Sequence, residues 1–378
     1  MKILFVQTNY PNFLSTFYRK IPNFNNLTYK EIKNKWSEEY FGCGDFYLKN
    51  LRPLGWRGDE VIINDWNMQS KWMYEHGFKI VKKPENKLLS IIPQRVKNLL
   101  GWNSWAKNIL FKQVETLKPE VVYIHDITIF TLSELKKLKA FTKLLVGQIA
   151  YPPPLNESVL KGYDLLISSF PHFVKKFRKM GIKSEYLRWC VEKNIINEVK
   201  LKKRIYDVSY VGGFSPHHSN GNRILEKIAN DIRIDFWGYN INFLSPLSVI
   251  RKTYHGEAWG LDMYKIFAAS KIVVNRHINI SKNYANNMRM FDVTAMGALL
   301  ITDDKSNMKE FFNIGKEVVT YKNSNDLIKK IKHYLQNPKE AAKIAKAGQK
   351  RTLKEHTYKV RMKELDKILK KYLNKDEV

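Results

Sequence analysis

Acidic residues are scarce in this chain: 36 Asp and Glu stand against 65 Lys and Arg in 378 residues, a net charge of +29. No two aspartates lie two positions apart, so there is no Asp-x-Asp pair to hold a divalent metal against a diphosphate. Only two cysteines occur, Cys43 and Cys190, and no Cys-x-x-Cys or Cys/His array surrounds them. That argues against a disulfide framework or a zinc site and fits a reducing compartment. No run of about 18 apolar residues is present to span a membrane. The opening Met1 to Val6 is too short for the apolar region of a signal peptide and reads as a first strand. A cytoplasmic protein is expected. A Gly-x-x-x-x-Gly-Lys-Ser/Thr phosphate loop is lacking too, and the sole Gly-x-Gly, Gly42 to Gly44, follows no strand and lacks a third glycine, which argues against a nicotinamide dehydrogenase.

What is present suits two ordinary cores. The hydrophobic content is 44%, and the length accommodates domains of about 150 to 200 residues each. Strand-like segments alternate with helical ones, the pattern of doubly wound parallel sheets. The first set is Lys2–Gln7, Glu60–Asn64, Val121–Ile124, Lys143–Ile149, Leu165–Ser168 and Glu185–Trp189; the second is Val208–Val211, Ile234–Trp237, Lys271–Asn275, Ala298–Thr302 and Glu317–Tyr321. The polar stretch Val191–Arg204 separates them, so an N-terminal domain over 1–200, a second over 201–355 and a C-terminal helix over 356–378 are predicted. Asn323 is placed as a helix N-cap with Asp326 at the third position, and Pro338 as that helix's stop. A tryptophan-rich excursion at about 66–118, with Trp66, Trp72, Trp102, Trp105 and the leucine-rich Leu88–Leu100, reads as a helical insertion or as a segment for a membrane interface.

The stretch from Asn275 to Asp304 is the most informative. A helix expected over 286–297 puts Met288, Phe291 and Ala295 on a buried face and Arg289 and Asp292, three apart, on another. A cation and a carboxylate so placed suit a diphosphate and a ribose; the alternative is a solvated surface pair. Gly297 stops the helix, and the apolar run through Ile301 suits a strand covered on both sides.

Ligands of open α/β sheets collect at the carboxyl ends of strands. That rule selects Gln7–Pro11, His125-Asp126 and Gln148–Pro154 in the first half, and Gly212–His218 and Asn275-Arg276-His277 in the second. Gly212 and Gly213 would admit a phosphate to the backbone. His125 or Asp126 would serve as general base for an acceptor hydroxyl, the alternative being a buried structural role.

Residues 205–362 resemble the spore-maturation-protein (CgeB-like) branch of GT-B glycosyltransferases, of the group 1 type. The matching segments are Tyr210–His217, His255–Tyr264, Ser270–His277, Met288–Asp292 with Ala295–Asp303, and Glu355–Tyr358 with Arg361. Lys118–Asp126 is similar to a strand of the same enzymes' first domain. The resemblance implies two Rossmann-like domains facing each other across a cleft, the first for acceptor and the second for a nucleotide-diphosphate sugar. It implies transfer to a glycan, lipid-linked or protein acceptor without a cofactor, and here without a metal. By that resemblance Arg289 and Gly212-Gly213 steady the diphosphate, Asp292 holds the ribose, the region of Gly256 holds the base, and Tyr264, Asn275 and His277 complete the donor site. Asp292 replaces the family's glutamate, and Tyr284 stands where related retaining enzymes carry a second one, which leaves sugar and stereochemistry open. The excess charge suits an anionic donor and peripheral contact with an anionic membrane at the inner face of the cell membrane; nucleic acid is not expected as a partner. An alternative is an inactive protein on the same fold whose basic surface binds nucleic acid or membrane.

Overall fold

A computed structural model describes residues 1–79, 104–149, 156–199 and 203–374. The chain divides into two compact units, Met1–Leu187 with Met362–Val378, and Arg188–Arg361.

The first unit holds a six-stranded parallel sheet in the order β2-β1-β3-β4-β5-β6. Its strands are β1 Lys2–Gln7, β2 Arg57–Ile62, β3 Val121–Ile124, β4 Leu144–Ile149, β5 Leu165–Ser168 and β6 Ser184–Tyr186. Every residue of β3, β4 and β5 is buried, as befits strands covered on both faces. Because β2 and β3 flank β1, the strand order reverses between β1 and β3, and the carboxyl ends of those two strands form the crevice where such sheets bind ligands.

The second unit holds β7 Tyr206–Val211, β8 Asp235–Trp237, β9 Ser270–Asn275, β10 Leu299–Asp303 and β11 Val319–Tyr321, in the order β11-β10-β9-β7-β8, all parallel. Its reversal lies between β7 and β9. The core there joins Val208, Phe214, Ile272, Leu299 and Ile301 to Leu225 and Leu327 of the covering helices.

The expected strands all occur, with shifted ends. The units divide at Leu187, some residues before the expected boundary near 200, because the polar-looking segment that follows packs into the second unit. Cys190, Val191 and Ile195 are buried, and Val191 exchanges backbone hydrogen bonds with His356 and Tyr358 at 3.0 Å. The last helix, Tyr358–Leu373, belongs to the second unit only up to Arg361. Its remainder is tied to the first unit, where Asp366 accepts from the Trp56 indole at 2.7 Å and Tyr372 donates to Glu185 at 2.9 Å. Asn323 caps its helix as expected, accepting from the Asp326 amide. Pro338 opens the next helix, Pro338–Glu355, at the position where its missing N–H costs nothing. In the excursion, helices Trp66–Glu75 and Ser104–Leu117 pack together through a Trp66–Trp105 edge contact, with Trp72 and Trp105 buried. Leu88–Leu100, Trp102 and 150–154 lie outside the described residues.

Candidate functional site

At the β7–β9 reversal the loop after β7 is built around two tyrosines. A Cβ on Gly212 would stand 2.4 Å from the Tyr210 hydroxyl, and one on Gly213 would stand 2.5 Å from the Tyr239 ring. A side chain at either glycine would therefore have to displace a tyrosine ring. Arg276, just past β9, is buried and acts as the fastener. It donates to the Gly213 carbonyl at 3.1 Å and the Asn222 side chain at 2.7 Å, and its guanidinium lies 5.5 Å from the Tyr210 ring centre. Gly221 leaves the room it needs, since a Cβ there would fall 2.2 Å from the guanidinium.

His277 is held from β10. Asp303 Oδ1 accepts from the His277 amide at 2.9 Å and sits 2.6 Å from Nδ1, while Lys305 lies 3.1 Å from the other oxygen. Burial pushes the Asp303 carboxyl up, but His277 and Lys305 outweigh it and hold it near 2. The His277 side chain is fully covered, and its Nε2 has no hydrogen-bond partner among the described residues. Asn275 ties β9 to β10 through Thr302 at 2.9 Å and pairs with Asn287 at 3.1 Å. Asn287 in turn accepts from the Met290 amide at 3.3 Å, so it fixes the start of the following helix.

That helix runs Arg289–Ala295, shorter than the expected 286–297, and Gly297 past its end has φ +69°. The prediction of an open Arg289–Asp292 face needs correction. Asp292 is 2% exposed, because the helix Gly260–Ala269 lies against it and Tyr264 donates to its Oδ1 at 3.0 Å. Arg289 lies 3.8 Å from Oδ2 and packs its guanidinium on the Phe267 ring, 5.2 Å from the centre, beside the Met263 sulfur. The solvated surface pair is thereby replaced by a half-buried cation serving a buried carboxylate. Burial raises the Asp292 carboxyl to about 6 against the pull of Arg289 and Tyr264. Burial, with Asp292 beside it, raises the Tyr264 phenol well above its usual range, so it stays protonated and remains a donor.

Both helices are held by one residue absent from the expected set. Arg204 donates to the carbonyls of Phe267 at 3.1 Å and Ser270 at 2.8 Å, where the first helix ends, and of Met296 at 3.3 Å and Gly297, where the second ends. Nothing in the local sequence marks it, since its partners are 63 to 93 residues away.

Gly256 has φ +98° with open space around it, and its carbonyl accepts from the Gly238 amide at 2.9 Å. Beside it His255 stacks on Trp237 at 4.5 Å and bonds Asp235 at 2.8 Å, and Tyr239 stacks on Trp259 at 5.5 Å. Flat aromatic surfaces beside an open glycine turn suit a planar ring.

In the first unit the β1–β3 reversal brings together Gln7, Thr8, His125 and Asp126. His125 nests among Phe5, Tyr47 and Tyr123, with ring centres 4.7 to 5.8 Å away, and its Nε2 is shielded and unpartnered among the described residues. Burial pushes the imidazole down to about 3, outweighing the nearby Gln148 side-chain oxygen, which favours the protonated ring. His125 is thus neutral. Asp126 caps a turn: Oδ1 accepts from the Thr128 amide at 3.0 Å and hydroxyl at 2.6 Å, and Oδ2 is 3.5 Å from Thr8. Gln148 is buried and accepts from Tyr47 and Tyr123. Among the described residues no group of three His, Cys, Asp or Glu is placed to hold a metal ion, and no helix is long and apolar enough to cross a membrane.

Comparison with known proteins agrees with this architecture. The family model "Glycosyl transferase-like" matches residues 219–367, the span carrying Arg276, His277, Arg289 and Asp292. No curated protein matches the chain in sequence. Among solved structures, a glycosyltransferase from Rickettsia africae is 12% identical, with a TM-score of 0.59 and 99% of both chains covered. HepE from Anabaena, in complex with UDP and glucose, is 11% identical with a TM-score of 0.59, over 98% of this chain and all of that one. Sucrose-phosphate synthase from Thermosynechococcus elongatus is 10% identical with a TM-score of 0.59, over 98% of both. The fold is the α/β fold of GT-B glycosyltransferases, with two parallel sheets flanked by helices.

Proposed function

We propose that this protein is a glycosyltransferase of the CgeB-like branch, moving a sugar, hexose-like, from a nucleotide-diphosphate sugar to an acceptor hydroxyl. The observation that carries the reading is the Tyr264–Asp292–Arg289 arrangement within the family-matched span: a buried carboxylate with one oxygen accepting from a phenol and the other beside a cation. HepE, on the same fold, is recorded with UDP-glucose, which supports a nucleotide-sugar donor here. In this reading Asp292 accepts ribose hydroxyls, and Arg289 with the Gly212-Gly213 loop balances the charge of the departing diphosphate. The Gly256 turn with its neighbouring rings receives the base. Tyr264 and Asn275 act by positioning, through Asp292 and Asn287, and the Asp303-held His277 approaches the sugar or phosphates. No metal or cofactor is assigned. The protein works in the cytoplasm, peripheral to the anionic inner face of the membrane, on a glycan, lipid-linked or protein acceptor in surface polysaccharide, glycolipid or glycoprotein assembly.

A thermal-shift series with UDP, GDP, dTDP and CDP tests this. One nucleotide should raise the melting temperature above the others, since a ligand at about 100 times its dissociation constant stabilises by about 2.7 kcal/mol. Slow donor hydrolysis without acceptor should accompany it. Absence of any shift, with binding to nucleic acid or anionic vesicles instead, would replace the enzyme by a basic binding protein on the same fold.

A further inference from the structure

The helix Pro338–Glu355 of the second unit carries its lysines in a regular pattern. Lys339, Lys343, Lys346, Lys350 and Lys354 follow at intervals of four, three, four and four residues, so at 3.6 residues per turn they fall within about 80° of the helix circumference, in a row about 22 Å long. All five are exposed, while Ala341, Ile344, Ala345, Gly348 and Thr352 are buried on the opposite side. The neighbouring helix Ser324–Gln336 turns Leu327 and Ile331 into the same core as Ile344 and Ala345. Its exposed Lys329 and Lys332 therefore extend the same outer surface.

The acidic groups of these two helices are engaged off that row. Asp326 pairs with Lys330 at 2.8 Å, Glu340 bonds His333 at 2.9 Å and Glu355 pairs with Arg351 at 3.0 Å. Lys354 lies 3.9 Å from Glu355, and Lys339, Lys343, Lys346 and Lys350 make no ion pair among the described residues. Like charges three or four apart on a helix repel one another. A row of five without an intervening acid opposes the helix that carries it and gains only from negative charge outside the protein.

The shape of the row selects the kind of anion. A single phosphate or carboxylate is held by cations that converge on it, whereas these are spread along a line. The helix is flanked by the helices Arg289–Ala295 and Ser324–Gln336, so it cannot enter a DNA major groove, about 12 Å wide, as a reading helix does. Its lysines also lack the planar fork of arginine and the ring that stacks on a base. A broad negative surface satisfies a row of point charges, and an anionic bilayer rewards each lysine close to it by about 5-fold in affinity.

We propose that the outer face of these two helices docks on an anionic bilayer, with the lysine row against lipid phosphates. This rests on the membrane placement in the proposed function and names the surface that provides it.

The test is co-sedimentation of the full chain with vesicles of phosphatidylcholine alone or mixed with phosphatidylglycerol. Binding should require the anionic lipid and be lost at high salt. Lys343→Gln, Lys346→Gln and Lys350→Gln together should weaken it about 100-fold, with the melting temperature unchanged or raised as the repulsion is relieved. Arginine at the same three positions should keep it. Lys136→Gln, Lys137→Gln and Lys175→Gln remove the same charge from exposed positions of the first unit and should weaken binding less than about 3-fold, because charges beyond a screening length contribute little. Nucleoside-diphosphate affinity, measured on the same variants, should not change, so the donor reading and this one fail separately. The proposal is overturned if anionic vesicles do not bind at low salt, if the two glutamine triples weaken binding equally, or if duplex DNA displaces the vesicles and depends on the same three lysines.

Discussion

The Tyr264 hydroxyl donates to Asp292 Oδ1 at 3.0 Å, across 28 positions of sequence, and so decides which carboxylate oxygen is left beside Arg289. It does so from a neighbouring helix, and without it a buried carboxylate would keep only the Arg289 guanidinium, 3.8 Å away. The Asp292 carboxylate, which the proposed function places against the donor's ribose, is thus oriented before any ligand arrives.

Tyr264→Phe and Arg289→Ala should therefore both weaken nucleoside-diphosphate binding, by different routes. Arg289→Ala removes a charge-assisted contact worth roughly 1.5 to 3 kcal/mol, a loss of about 10-fold or more. Tyr264→Phe leaves the cation in place but frees the carboxylate to turn, and its affinity should fall less. Calorimetry on folded variants measures both. Wild-type affinity in Arg289→Ala would remove that residue from the donor site.

The pH dependence of stability separates Asp292 from Asp303. Asp292 is raised to about 6 from an ordinary 3.8, so the folded state holds a proton that the unfolded chain gives up, and stability falls as pH rises from about 4 to 6. Asp303 is depressed to about 2, so its contribution is complete above about 4 and is lost as pH falls towards 2. Asp292→Asn should flatten the first decline by at least about 1 kcal/mol and leave the acid limb unchanged. Urea unfolding at pH 4.5 and pH 7 reads the difference. An unaltered slope in Asp292→Asn would show that this carboxyl is not buried with a raised pKa.

Much of this was legible from local signals. Val121–Ile124 and Leu165–Ser168 read as buried strands because apolar side chains fill both faces, and Asn323 announced its cap through Asp326 three residues on. The strand-end rule also reached Gly212, Gly213, Arg276, His277, His125 and Asp126. What escaped depends on partners distant in sequence. The burial of Asp292 comes from Tyr264, the anchoring of His277 from Asp303, and the role of Arg204 from carbonyls on two other elements. The helix begins at Arg289 because Asn287 is engaged with Asn275. Periodicity within 286–297 carries no trace of that pairing.

Arg204 offers a test of positioning as distinct from binding. Its guanidinium bonds the last carbonyls of the helices that carry Tyr264 and Asp292. Arg204→Ala should destabilise by about 1 to 3 kcal/mol, since four part-buried carbonyls at the helix ends lose a shared cationic donor. Arg204→Lys should recover part of this, as an ammonium cannot span both helix ends. Chemical denaturation checks it. Equal stability of Arg204→Ala and wild type would mean that the helix ends are satisfied without the clamp.

Transfer should survive EDTA. The sequence has no Asp-x-Asp, and in the proposed reading Arg289 takes up the charge of the leaving diphosphate that a metal would otherwise balance. Donor turnover measured after chelation and dialysis should match untreated enzyme. Loss of turnover that magnesium or manganese restores would assign the diphosphate to a metal.

In the proposed reading the acceptor side rests on His125 or Asp126, which the structure places differently. The His125 imidazole is packed among three rings and held near a pKa of 3, so it is neutral across the whole working range and weak as a base. Asp126 has Oδ1 engaged by Thr128 and Oδ2 only 3.5 Å from Thr8, so one oxygen remains for an acceptor hydroxyl. Asp126→Asn preserves the turn, because the amide oxygen accepts the same bonds, and it removes the negative charge alone. His125→Gln preserves polarity in the aromatic nest while removing the ring. In an inverting reaction one of these two, not both, should lose at least about 100-fold in turnover with donor affinity unchanged, the cost expected for a general base. A merely structural residue would instead lower the melting temperature and leave turnover per folded molecule near wild type. Single-turnover assays on both variants separate the cases. Near-wild-type rates in both would leave deprotonation to the departing diphosphate, the route of a retaining transfer, and would remove both residues from the chemistry.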